Sequence, residues 1–454
     1  MKKFFLNKKL MTLVLSLCLI FVIGGIAVFA AFESGLPGFE MIMDNFDIPQ
    51  NSPNSESSSS LPESSESESE PEEEKDTDIS IDPITPEIPP AQNIENGPIV
   101  YNAPERMMAI TIKAGEDFYS EEGMSTEEIQ KSIDKALEEA KNLSANTVFI
   151  DTSFGDSVLY YSENALQTNV SMDMLKYASE KAKSMDLYVY AVFDVLKNSE
   201  ELNSEQISLI SKNASALAKY DLDGIMLDGF TAESSGNAYF EYSKFGSGMG
   251  YENYMRSNTE ASVSAAYNGI KKENPAIAVG LAVDSVWANS TTIEEGSSTE
   301  ASYESFTDGF ANTKKFVEDG KADFVAVKCS YATGNKSAKF ADYTEWWNSV
   351  VFDKVPLYIF QYATKACTDE KGWGDPSELS DQVISAEKLG GFCGSVFDSL
   401  SALQKNPKQS TDALIKYLTE DIDPSFLLTQ LELTRPAKTD APPRWCAVPL
   451  PLRL

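Results

Sequence analysis

The chain contains no histidine. That absence excludes Ser-His-Asp and Cys-His nucleophile systems and every His-ligated zinc site, so any chemistry rests on carboxylates, tyrosines, lysines or thiols. Cysteine is scarce as well. Cys18, Cys329, Cys367, Cys393 and Cys446 are scattered without a C-x-x-C pair, which argues against a zinc ribbon or a thioredoxin-like site. Isolated thiols of this kind are ordinarily buried and inert. Basic residues are in deficit, 37 against 70 acidic ones, for a formal net charge of −33. Such a surface repels phosphates, and no nucleic-acid partner is expected. No Asp-x-Asp-x-Asp-Gly loop is present, so no metal is expected, and nothing in the sequence calls for a cofactor.

What is present begins with Lys2, Lys3, Lys8 and Lys9, followed by an uncharged run of 23 residues from Leu10 to Phe32. At 1.5 Å per residue such a helix crosses a hydrocarbon core of about 30 Å. Basic residues before it and acidic ones after it put residues 1–9 in the cytoplasm. We read 10–32 as a single-pass membrane anchor; a cleaved signal is the rival, with Val28-Phe29-Ala30 shaped like a cleavage site. Either way the remainder is expected outside the cytoplasm. Residues 33–100 read as a disordered Ser/Glu/Pro-rich stalk: 51–80 alone hold ten acidic residues and one lysine, too little apolar surface to offset ordering.

From 101 to 422 short β-branched runs alternate with amphipathic stretches. Strands are expected at 107–112, 147–153, 188–195, 224–230, 276–286, 323–331, 356–363 and 394–400. Helices are expected between them, the first opening on the capping box Ser125-x-x-Glu128, with Ile129, Ile133 and Leu137 on one face. Another is expected from Tyr303 to Gly320. Eight strand–helix units over about 300 residues fit an α/β fold of the (β/α)₈ TIM-barrel type. The alternative, an open doubly wound sheet, would show a Gly-rich phosphate turn after its first strand, and IKAGEDF is not one. The tail, 423–454, opens like a strand of a further β domain cut short.

In such a barrel the active site lies at the carboxyl ends of the strands. Those ends are rich in acids: Asp151, Asp194, Asp228, Asp284 and Asp398, with Lys328 and Gln361 on strands six and seven. A single aspartate there is ordinarily a helix cap. Several on one rim repel and raise one another's pKa, which suits acid and base work. Aromatic residues share the rim: Tyr160, Tyr161, Phe230, Trp287, Tyr331, Trp346, Trp347 and Trp373. Flat rings beside carboxylates suit the C–H faces of sugars, although Trp346 or Trp347 is also placed to pack a helix on the barrel.

The segments NTVFIDTSFGDSVLYYS, YDLDGIMLDGF, VGLAVDSVWAN, KADFVAVKCSY and LYIFQYA, with the Trp346-Trp347 pair, resemble in order and spacing the glycosyl-hydrolase-like family 10 domain. The resemblance spans about Arg106 to Leu403. It implies a (β/α)₈ barrel that hydrolyses glycosidic bonds, in a family found in bacterial envelopes, some of whose members act on peptidoglycan strands. By resemblance Asp156 falls in a GD-x-x-x-Y turn, and Asp223 and Asp228 fall on the two acids of a D-G-x-x-x-D signature. The chain departs from the family pattern at Met226 and Gly229, where the family has His and a second Asp. It departs again at Val327-Lys328-Cys329-Ser330-Tyr331 and at Ala282-Val283-Asp284-Ser285. The chitinase-type acid position is Phe230, and the nearest glutamate, Glu233, comes three residues later.

Two functions follow as expectations. One is a glycoside hydrolase of envelope glycan, with Asp228 catalytic and Asp194 or Asp284 its partner, and Lys328 favouring the ionised form of Asp228. The other is a surface-anchored barrel that binds glycan without cutting it. Substrate contacts are expected from Asp151, Asp156, Tyr160, Asp223, Phe230, Trp287, Lys328, Tyr331, Gln361, Trp373 and Asp398.

Overall fold

The structure is a computed structural model that describes residues 101–120, 123–197, 203–232, 234–246 and 248–419. The expected anchor, stalk and tail lie outside the described residues, as does Glu233. Among the described residues no helix is long and apolar enough to cross a membrane.

Eight parallel strands close a barrel: β1 (Met107–Ile112), β2 (Thr147–Asp151), β3 (Tyr188–Asp194), β4 (Gly224–Asp228), β5 (Ala278–Asp284), β6 (Phe324–Cys329), β7 (Leu357–Gln361) and β8 (Phe392–Phe397). Each strand pairs with its neighbours in sequence, and β8 returns to β1. The strands are buried almost end to end because both of their faces are covered, one by the barrel interior and one by helices.

The helices are α1 (Thr126–Asn142), α2 (Met174–Ser184), α3 (Ser204–Leu217), α4 (Gly236–Phe245) and α5 (Tyr251–Glu273). They continue with α6 (Thr313–Glu318), α7 (Phe340–Val351), α8 (Glu378–Ala386), α9 (Leu400–Lys405) and α10 (Ser410–Thr419). The expected capping box forms: Ser125 accepts from the Glu128 N–H, and Glu128 reaches back to the Ser125 N–H at 2.9 Å. Ile129, Ile133, Ala136, Leu137 and Ala140 make the buried stripe of α1.

Two elements escape periodicity. α4 and a small hairpin, Ser153–Phe154 against Ser157–Val158, lie in βα connections. The helix expected from Tyr303 shrinks to Thr313–Glu318. Phe310 adopts φ +48, which breaks a right-handed helix, and Asn312 caps the short one that follows. Glu304, within the lost turn, is instead spent on the loop: its carboxylate accepts from Asn289 N and Nδ2 and from the Thr292 hydroxyl, at 2.7–2.8 Å.

The barrel interior is filled, not hollow. Phe149 stacks on Tyr190 at 4.8 Å, Tyr190 meets Phe324 edge-on at 5.6 Å, and Phe324 meets Tyr358 at 5.6 Å. Glycines on the intervening strands make room for these rings. A Cβ on Gly224 would stand 2.2 Å from the Tyr190 ring, and one on Gly280 would stand 2.0 Å from the Phe324 ring. Gly280→Ala should therefore overpack the interior and lower stability by about 1–3 kcal/mol in urea denaturation. Gly236→Ala, where a Cβ meets nothing within 4 Å, should leave the unfolding midpoint in place.

Candidate active site

Side chains on a strand alternate between the two faces of the sheet. In this barrel Ala109, Phe149, Tyr190, Met226, Ala282, Ala326, Phe360 and Val396 are interior. Continued in steps of two toward the carboxyl ends, the same face reaches Lys113, Asp151, Asp194, Asp228, Asp284, Lys328, Tyr362 and Asp398. The mouth of the barrel is thus a ring of titratable groups, one from each strand line. Asp194 and Asp228 stand opposite each other in register on β3 and β4, as do Asp284 and Lys328 on β5 and β6.

Lys328 is the centre of the ring. Its ammonium lies 2.6 Å from Asp228 Oδ1 and 3.7 Å from Asp284 Oδ1. Asp228 Oδ1 also accepts the Gly229 N–H at 2.7 Å. Gly229 sits at φ +59, and a Cβ there would fall 2.1 Å from Asp194 Oδ1. Only glycine turns the chain in this way and leaves the Asp194 carboxylate its space. Beyond the ladder, Ser285 donates to the Lys328 carbonyl and accepts the Ser330 N–H, which ties the ends of β5 and β6 together. Trp347, on α7, donates to the Asp284 and Ser285 carbonyls at 3.1 Å and fixes the end of β5.

The ring's electrostatics follow from crowding. Burial raises the pKa of Asp284, and the Asp228 charge adds to it, against the pull of Lys328 and a hydrogen bond from Tyr303. Asp194 is also pushed up, first by lost solvation and then by the Asp228 charge, although one side of it opens to solvent at the rim. Asp151 is raised to about 6 by burial, with Lys197 and Lys113 opposing the rise. Burial likewise raises Asp398, against hydrogen bonds from Thr364 and the charge of Lys113. For Lys328, burial disfavours the ammonium, but Asp228 and Asp284 more than compensate and its pKa rises.

One residue reaches the ring from a loop. Tyr303 belongs to the long β5–α6 connection, which is held by Glu304 and by Asn289, whose side-chain oxygen accepts from Thr299 and the Ala301 N–H at 2.8 and 2.9 Å. Tyr303 stays 40% exposed, beside Asp284, with its hydroxyl raised to about 12 by burial and the Asp284 charge. A cavity of about 540 Å³ opens next to Asp194, between the 153–158 hairpin and α3, with Asp156, Tyr160 and Lys197 in its walls. Asp228 and Asp284 do not line it.

Several residues expected at the site lie elsewhere. Asp223 is at the amino end of β4, the opposite end of the barrel. There it pairs with Lys183 at 2.6 Å and accepts from Val189 N and Asn102 at 2.7 Å. Gln361 is on the outward face of β7, wholly buried, and donates to the Leu379 carbonyl of α8. Phe230, Trp287 and Trp373 are buried and offer no platform. Phe230 packs on Phe316, Trp287 stacks under Trp346 at 5.5 Å, and Trp373 lies below Lys365. Tyr160 is buried too, contributing part of one cavity wall. Asp156 is exposed on the hairpin turn, and Tyr331 is half-buried near enough to Asp284 to feel its charge.

Lys113, Lys197, Tyr303 and Tyr362 were not foreseen. Strict alternation from Ala109 and Phe360 points to Lys113 and Tyr362; nothing periodic marks Tyr303 or Lys197. Among the described residues no group of His, Cys, Asp or Glu is arranged to hold a metal ion.

Over 348 residues the chain is 23% identical to glycosyl hydrolase YngK of Bacillus subtilis (strain 168), which covers 66% of this chain and 68% of that protein. Over 217 residues it is 24% identical to glycosyl hydrolase DigH of Escherichia coli (strain K12), covering 45% of this chain and 48% of DigH, so it spans about half of that relative. No family model matches the chain. Among solved structures, the endo-1,4-beta-mannanase from Rhizomucor miehei superposes with a TM-score of 0.48 and 12% identity, over 66% of this chain and 87% of that one; likeness at this level carries no argument about chemistry.

Asp151 supplies a test of the ring's electrostatics. Its pKa of about 6 exceeds that of an unfolded aspartate, so folding favours the protonated form. The folded state is penalised progressively as pH rises from about 4 to 6, and fully above that. Asp151→Asn should therefore stabilise the protein by roughly 2–3 kcal/mol at pH 7.5 and by nothing at pH 4, read from thermal melts at both values.

Proposed function

We propose that the barrel hydrolyses glycosidic bonds of a cell-wall or envelope glycan, with Asp194 as general acid and Asp228 as the anion facing the anomeric carbon. The carrying observation is that two carboxylates in register on adjacent strands have opposite surroundings. Asp228 is ion-paired to Lys328 and accepts a backbone N–H. Asp194 also accepts a backbone N–H, from Lys197, but no salt bridge joins it among the described residues; it opens to solvent and to the cavity, and burial and the Asp228 charge raise its pKa. A carboxyl with a raised pKa suits a proton donor, and one held in an ion pair suits the charged partner. Similarity to two proteins named glycosyl hydrolase, and the family 10-like motifs, support the same reading.

In this mechanism Asp194 gives its proton to the glycosidic oxygen as the bond from that oxygen to the anomeric carbon breaks. The Asp228 carboxylate stabilises or captures the positive charge that develops there. Water then supplies the hydroxyl to the anomeric carbon and returns a proton to a carboxylate. Lys328 and Tyr303 hold Asp284 and Asp228 in place. Gly229 stands where the family pattern carries a second acid, and the Asp194 carboxylate, arriving from β3, fills that space.

A second reading has its own observation: the Lys328 ammonium neutralises the middle of the ring, as suits a barrel that binds glycan without cutting it. We also propose that residues 10–32 anchor the chain and the acidic stalk carries the barrel outside the cytoplasm, where cell-wall glycan is the polymer within reach.

Asp228→Asn and Asp194→Asn should each lower the release of reducing ends from purified glycan strands by about 10²–10⁴-fold. Full turnover by Asp228→Asn removes it from the mechanism, and binding without cleavage by the unaltered protein establishes the second reading. Lys197 favours the Asp194 anion, so Lys197→Met should keep the acid protonated to higher pH and move the alkaline limb of the rate profile upward. A limb that stays in place assigns the proton donor to another group.

A further inference from the structure

The cavity beside Asp194 is not explained by the bond-breaking ring. Its volume of about 540 Å³ lies within the range of about 300–1,000 Å³ typical of small-ligand sites. The acid forms part of its wall, whereas Asp228 and Asp284 lie outside it. A group that protonates a glycosidic oxygen stands between the sugar that keeps the anomeric carbon and the sugar that departs. The first sugar faces Asp228, so the departing one must extend to the other side of Asp194, where this cavity opens.

We propose that the cavity between the 153–158 hairpin and α3 is the subsite for the leaving-group portion of the glycan, a step that rests on the hydrolase reading above. Its walls have the mixed character that a sugar requires. Leu166, 63% exposed, gives an apolar surface together with Leu209. The side-chain amides of Gln206 and Asn164 face the same space and have no hydrogen-bond partner among the described residues. Hydroxyl and N-acetyl substituents carry both the donors and the acceptors that such amides bind. Gly155, at φ +52, turns the hairpin that closes the cavity on one side. The ligand class is therefore a neutral or amino-sugar oligosaccharide bound on its reducing side.

The test compares two substrates that share the sugar whose bond is broken. One is an oligosaccharide from cell-wall strands; the other is an aryl glycoside, whose phenolate departs without a sugar-shaped subsite. Gln206→Leu and Leu166→Asp should each lower kcat/KM on the oligosaccharide about tenfold, mainly through KM, while the aryl glycoside is cleaved within about twofold of the unaltered rate. Leu166 is exposed and Gln206 lies in the first turn of α3, so neither change disturbs the core, and matching thermal melts check this. If the unaltered protein cleaves the oligosaccharide and both variants do so equally well, the subsite is overturned and the hydrolase reading stands. Equal loss on both substrates also overturns it. If the unaltered protein cleaves neither substrate, the hydrolase reading fails and the subsite with it.

Discussion

Carboxylates gathered in a partly dry space repel one another and lose solvation, and both effects favour protonation. In this barrel Asp151, Asp194, Asp228 and Asp284 converge on one mouth, and the Lys328 ammonium makes that arrangement tolerable. At 2.6 Å from Asp228 and 3.7 Å from Asp284 it pairs with one acid and neutralises part of the field at the other. Asp194 keeps the repulsion without a direct cation of its own. The asymmetry that separates a candidate proton donor from a candidate anion thus comes from the direct Lys328 ion pair at Asp228, against which Asp194 has only the more distant charge of Lys197.

The two ends of the barrel use the same chemistry for different ends. Asp223 on the amino side has a lysine at 2.6 Å and accepts hydrogen bonds from Val189 N and Asn102, so its lone pairs are spent on holding β3 and β4 together. Asp323 behaves likewise, pairing with Lys271 and accepting the Val279 N–H. On the carboxyl side Asp398 is buried and satisfied by the Thr364 N–H and hydroxyl, whereas Asp151, Asp194, Asp228 and Asp284 are less enclosed and face an opening. Partner counts and position, not residue type, distinguish structural aspartates from those available for reaction.

The aromatics tell a related story. Rings proposed as sugar platforms are large apolar surfaces, and burying them against helices gains more than leaving them wet. Trp347 and Trp287 are consumed in fixing the end of β5 and the loop that follows it. Their contribution to a site is indirect: they hold the backbone that carries Asp284 and Tyr303. Tyr303, with the half-buried Tyr362 and Tyr331, brings an aromatic ring to the acids at the mouth.

The alternation of β-branched runs with amphipathic segments determined the closed barrel, because a parallel strand must bury both faces and a helix must bury one. The same periodicity placed Asp151, Asp194, Asp228, Asp284, Lys328 and Asp398 at the strand ends, and the absence of histidine already restricted the chemistry to carboxylates, tyrosines, lysines or thiols. Two-residue periodicity was equally able to show that Gln361 faces outward and that Asp223 begins its strand. What no periodicity encodes is how irregular connections fold: the Asn289–Glu304 network that brings Tyr303 to Asp284, the hairpin and α3 that enclose a cavity, and the left-handed Gly229 that admits Asp194. Those depend on contacts between residues far apart in the chain, whose energies exist only once the ring of strands has closed.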